Sequence, residues 1–165
     1  MKKKINSNKG ILFWITGLSG SGKTTIAKKI FPIIKKKYGP TVILDGDKCR
    51  KALDLSGFTY KDRLSNSRKY NEITKILTDQ KINVIFSLVC LMNKPRIWNR
   101  KYIDNYLEIF IDCELKKIIK KNKKKPIKKI VILLVLILNL NFLKTQIYLL
   151  KMILKLALIR YQKYY

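Results

Sequence analysis

An apolar run, Ile11–Thr16, leads straight into Gly17-Leu18-Ser19-Gly20-Ser21-Gly22-Lys23-Thr24. That junction constrains the chain more than any other feature. The run has the length of a buried strand. The glycines that follow let the backbone turn tightly, in conformations other residues avoid. From Thr25 to Lys37 the residues read as a helix, with Pro32 expected to kink it or end it early. A strand, a glycine turn and a helix with the spacing G-x-x-x-x-G-K-[ST] make a loop whose N–H groups curl around phosphate oxygens. The helix N-terminus adds positive potential there. Lys23 is spaced to reach β- and γ-phosphates, and the Thr24 hydroxyl to ligate Mg²⁺. A Gly/Ser-rich turn matching by chance would lack the flanking strand and helix. The motif points to a nucleoside triphosphate, ATP in the first instance, and leaves the acceptor open.

Further strands and helices follow in alternation. Tyr38-Gly39-Pro40 is a turn signal. Thr41–Leu44 reads as a second strand, ending at Asp45-Gly46-Asp47. Helical spacing runs over Asp62–Gln80, a third strand over Asn83–Val89, a helix over Pro95–Asn105 and a fourth strand over Tyr106–Ile111. Glu114–Lys121 begins another helix. This order predicts an α/β fold, a parallel sheet with right-handed crossovers flanked by helices. Ligands in such sheets sit beyond the carboxyl ends of the strands. Asp45 and Asp47 therefore face the same crevice as the glycine loop. There they can hold Mg²⁺ through water or orient an attacking hydroxyl; the plainer alternative is a solvated Asp-Gly turn. Arg50, Arg63, Asn66 and Arg68 come next, with Arg63 and Asn66 one helical turn apart. Guanidinium forks suit phosphate or sulfate oxygens, while an exposed basic face is the alternative. Phe58 either stacks on a base or packs in the core.

Composition removes other chemistries. The 165 residues fit one domain. With no His, a His-ligated metal and a His general base are excluded. Cys49, Cys90 and Cys113 are too few and too scattered for a disulfide framework or zinc site, which suits a reduced, cytoplasmic chain. The glycine loop after Ile11–Thr16 is unlike a leader cleavage site. The formal net charge is +27, yet no zinc finger or aromatic RNA-binding motif accompanies it. Lys, Ile and Asn have A/T-rich codons, so genome composition accounts for the lysines and no specific nucleic-acid partner is expected.

The string Phe13-Trp14-Ile15-Thr16-Gly17-Leu18-Ser19-Gly20-Ser21-Gly22-Lys23-Thr24 resembles the adenylylsulfate kinase family. So do Leu44-Asp45-Gly46-Asp47 with Arg50, Gly57-Phe58, and Asp62-Arg63 with Asn66 and Arg68. Order and spacing agree from about Gly10 to Asp112. The resemblance implies transfer of the γ-phosphoryl of ATP to the 3′-hydroxyl of adenosine 5′-phosphosulfate, using Mg²⁺, in a homodimer. It implies that Phe58 stacks on the acceptor's adenine. Arg50, Arg63 and Asn66 then hold the phosphosulfate with Asp47 nearby, and Asp45 or Asp47 orients or deprotonates the hydroxyl. After the third strand the family has Ile-Ser-Pro and an aromatic residue; this chain has Val89-Cys90-Leu91-Met92. The stretch Trp98-Asn99-Arg100 through Asn105-Tyr106 is similar to a subgroup of these kinases. That subgroup's resemblance implies another acceptor, such as cytidine diphosphoramidate.

The family pattern stops near Pro126. All ten acids lie between Asp45 and Glu114, and from Leu115 to Tyr165 there are 14 Lys/Arg and no acid. Back-translating Lys129–Ile147 and reading from each codon's third base permits Asn-Ser-Asn-Ile-Val-Gly-Ile-Asp-Ile-Lys-Pro-Glu-Phe-Pro-Lys-Asn-Pro-Asp-Ile. This resembles the missing family segment. One base lost near Lys123–Pro126 accounts for it. The chain then divides into a basic extension (1–9), an incomplete P-loop kinase domain (10–125) and an out-of-frame Leu/Ile/Lys-rich tail (126–165). In the competing reading the tail is a basic amphipathic helix on an anionic membrane surface. Its nine-residue apolar run, Ile130–Leu138, is short of the roughly 20 residues needed to span a bilayer.

Overall fold

The computed structural model describes residues 5–112. The element order is β1 (Ile11–Gly17), α1 (Lys23–Tyr38), β2 (Thr41–Asp45), α2 (Gly46–Ala52), α3 (Tyr60–Asp79), β3 (Asn83–Ser87), α4 (Asn93–Tyr102) and β4 (Asn105–Ile111). The expected Glu114–Lys121 helix and the tail lie outside the described residues.

The four strands form one parallel sheet in the order β2-β3-β1-β4. Every residue of β1 and β3 is buried, as continuous apolar runs in a two-sided parallel sheet must be. Phe13 and Ile15 point to one face, where Ala27, Ile30 and Ile34 of α1 cover them. Leu12 and Trp14 point to the other, against Phe86 and Tyr70. On that face Phe86 meets both the Trp14 and Tyr70 rings edge-on at 5.3 Å. The odd–even split is the period-2 alternation of a strand. From β1 the chain passes to β2 at one edge, back to β3, and then to β4 on the far side of β1. The carboxyl ends of β1, β2 and β3 consequently open on one crevice.

Pro32 does not end α1. The helix runs on to Tyr38, because packing of Ile30 and Ile34 on the sheet outweighs the missing amide bond. Asp45-Gly46-Asp47 is neither a strand tip nor a turn. Asp45 caps α2, its side chain accepting from the Asp47 and Lys48 amides. α3 starts two residues before the expected Asp62, at a capping box between Thr59 and Asp62. β3 stops at Ser87, short of Val89.

Candidate active site

The glycine loop leaves β1 at Gly17 and re-enters regular structure at Lys23, two residues earlier than the sequence suggested. Gly17, Gly20 and Gly22 all have positive φ. Gly22 stands at the N-cap of α1, and no side chain caps that helix. Its first-turn amides are thus directed at the mouth of the loop without an internal acceptor, the arrangement anions occupy. Leu18, Ser19 and Gly20 form the outer rim. Ser21 is fully buried, and its Oγ has no partner.

Lys23 belongs to the loop. Its Nζ donates to the Leu18 carbonyl at 2.7 Å, spanning the turn it will share with phosphates. Burial lowers its pKa, and the Asp47 and Asp45 carboxylates act against that shift. Both acids thus face the lysine across the crevice.

Thr24 and Asp45 meet directly: the Thr24 hydroxyl donates to Asp45 Oδ2 at 2.8 Å. Asp45 Oδ1 accepts from the Asp47 and Lys48 amides at 3.1 and 3.3 Å. Partial burial alone would raise the Asp45 carboxyl. Bonds from Thr24, the Lys48 and Asp47 amides and Ser87 outweigh it and hold the group below the usual range. Ser87, which the sequence does not single out, ends β3 beside Asp45. A serine in an apolar strand carries no local signal; only strand register brings it here.

This donor set fits Mg²⁺. A hydroxyl and a carboxylate are hard oxygen ligands, and they converge next to the phosphate cradle. No group of three His, Cys, Asp or Glu suited to a metal occurs among the described residues. That is the pattern of an ion held largely by substrate phosphates and water rather than by a protein cage.

The second half of the site is a loop gripped from three sides. Arg50 Nη1, Arg63 Nε and Asn66 Nδ2 donate to the carbonyls of Gly57, Phe58 and Ser56 at 3.4, 3.0 and 3.4 Å. Each uses part of its donor capacity this way. Phe58 is not in the core: it is 71 % exposed. The Arg50 guanidinium lies 4.5 Å from its ring centroid and that of Arg63 5.9 Å. An exposed ring held between two cations is a platform for a planar, anionic ligand. Arg68 is exposed farther along α3. Cys90 is buried, its backbone tied to the Thr16 hydroxyl by bonds of 2.9 and 3.1 Å and its Sγ 3.8 Å from Ser67 Oγ. Burial, foremost, raises its thiol pKa.

A family model for adenylylsulphate kinase matches residues 9–130. The chain belongs to the adenylylsulphate kinase family. Its similarity to cytidine diphosphoramidate kinase of Campylobacter jejuni is 35 % identity over 117 residues, covering 71 % of this chain and 69 % of that protein. With adenylyl-sulfate kinase of Clostridium kluyveri it is 37 % over 117 residues, 70 % of this chain but 59 % of that one. Among solved structures, Mycobacterium tuberculosis APS kinase CysC in complex with AMPPNP and APS superposes with a TM-score of 0.63 at 30 % identity. That match covers 70 % of each chain. The adenylylsulphate kinase fold is thus that of a P-loop kinase. Among the described residues no helix is long and apolar enough to cross a membrane.

Proposed function

We propose that this chain encodes an ATP-dependent kinase that phosphorylates the 3′-hydroxyl of adenosine 5′-phosphosulfate. The observation that carries this reading is the pairing of two half-sites across one crevice. One is an uncapped glycine cradle with Lys23, and the other an exposed Phe58 between Arg50 and Arg63. The two acids, Asp45 and Asp47, stand between them.

In this reading the α1 amides and Lys23 bind the β- and γ-phosphates, and Phe58 takes the acceptor's base. Arg50 and Arg63, with Asn66, hold its sulfate and phosphate oxygens. Asp47, exposed in the first turn of α2, accepts the hydroxyl proton as oxygen–phosphorus bonding develops. Asp45 is committed to Thr24 and to the α2 amides, so it is the residue that would hold Mg²⁺ with Thr24. When bound, Mg²⁺ neutralises charge on the transferring phosphates. Most of the catalysis is positioning and electrostatic stabilisation.

A second reading, transfer to cytidine diphosphoramidate, is favoured by two features: the Campylobacter relative, and Val89-Cys90-Leu91-Met92 where adenylylsulfate kinases have Ile-Ser-Pro-aromatic. We further propose that residues from about 126 onward are out of frame. The gene would then encode the rest of the kinase domain once one base is restored.

The test follows from both. The gene is re-sequenced, the frame-restored protein is made, and ATP consumption is measured with each acceptor side by side. Turnover of adenosine 5′-phosphosulfate supports the first reading; turnover of cytidine diphosphoramidate alone replaces it with the second. An intact frame giving the present translation ends the frame hypothesis.

A further inference from the structure

Ser87 is the last residue of β3 and lies in register with Asp45 across the parallel pair. The three residues before it, Val84, Ile85 and Phe86, are apolar and fully buried. Ser87 is only 3 % exposed, a position where a hydroxyl costs free energy unless it is bonded. It is bonded at the crevice end. Its Oγ donates to Asp45 Oδ2 at 3.3 Å and comes within 3.4 Å of Thr24 Oγ1. The Thr24 hydroxyl reaches the same Oδ2 at 2.8 Å.

One carboxylate oxygen is therefore shared by two hydroxyls, from the first turn of α1 and from the end of β3. A carboxylate oxygen only accepts, so Thr24 turns its proton inward and its lone pairs outward, toward the cradle. Ser87 sits beneath, too deep to meet a ligand. The other oxygen of Asp45 is fixed by two amides of α2, which set its position along the strand but not its tilt toward Thr24. Ser87 supplies that second restraint.

We propose that Ser87 is a positioning residue for the Mg²⁺–nucleotide complex. By fixing Asp45 Oδ2 under Thr24, it aims the Thr24 lone pairs at the ion. The proposal rests on the nucleotide-binding reading above and adds a role that strand register alone assigns.

The experiment uses the full 165-residue chain and ADP as the probe. Affinity is measured calorimetrically in excess Mg²⁺ and in EDTA, and Mn²⁺ bound with ADP is followed by electron paramagnetic resonance. Ser87→Ala should keep the parent's ADP affinity in EDTA and lose about tenfold of the enhancement the divalent ion confers. It should also broaden the Mn²⁺ spectrum. Ser87→Thr, which keeps the hydroxyl, should restore the enhancement. The proposal is overturned if Ser87→Ala shows the parent's full enhancement. It is equally overturned if affinity falls by the same factor with and without the ion, the mark of a packing defect. If the parent itself does not bind ADP, the nucleotide-binding reading fails with it.

Discussion

Gly17 joins β1 to the phosphate loop, and its neighbours make it irreplaceable in two separable ways. Its φ is +146°, a conformation side chains rarely adopt. A Cβ built there lies 2.5 Å from the Ile111 carbonyl oxygen, its register partner on β4, and 3.2 Å from Ser21 Oγ. Ordinary contact begins at 3.4 Å, so the end of β4 would have to retreat by ~0.9 Å. The atom in the way is backbone and cannot rotate aside. Gly39 provides the control: its φ is +88° and nothing lies within 4 Å of a Cβ there. Each alanine pays for the unfavourable φ, about 1–3 kcal/mol. Only Gly17→Ala also overpacks, adding about 1–3 kcal/mol. Urea unfolding should place Gly17→Ala below Gly39→Ala by that margin at an unchanged m-value. In a chain of this size the extra loss in Tm is about 2–12 °C. Because the shift opens the floor of the cradle, Gly17→Ala should also weaken ADP binding, while Gly39→Ala leaves it alone. Equal stability and equal ADP affinity for the two variants would refute the steric argument.

Two further outcomes concern the halves of the site. In the frame-restored protein, Phe58→Ala should raise the acceptor KM by roughly 5–150-fold, the worth of one base–aromatic stack, and leave the KM for ATP unchanged; steady-state kinetics with each substrate varied in turn checks it. Asp45 has a folded-state pKa below its unfolded value, so the stability it contributes is complete above the ordinary carboxylate range and fades as pH falls through the lowered value. The parent should therefore exceed Asp45→Asn in urea midpoint at neutral pH, with the gap closing below about pH 4; a constant gap down to pH 3 would contradict the linkage.

The sequence by itself determined the cradle and the order of elements. Glycine spacing and an apolar run are local signals, since backbone freedom and strand burial depend on the residues themselves. Asp45, Asp47, Arg50, Phe58, Arg63 and Asn66 were legible as candidates because their motif matches a family pattern. What each of them touches was not. Pro32 reads as a helix breaker, yet burial of Ile30 and Ile34 against the sheet carries α1 past it. Asp45 looks like the tip of a strand and proves to be a helix cap bonded to Thr24. Phe58 is a core residue by habit and a surface ring in fact, because three side chains hold its loop away from the core. Ser87 had no sequence signal at all. It acquires a partner 42 positions away only when β2 and β3 align in parallel, and pairing between distant strands is a property of the assembled sheet, invisible to any window along the chain.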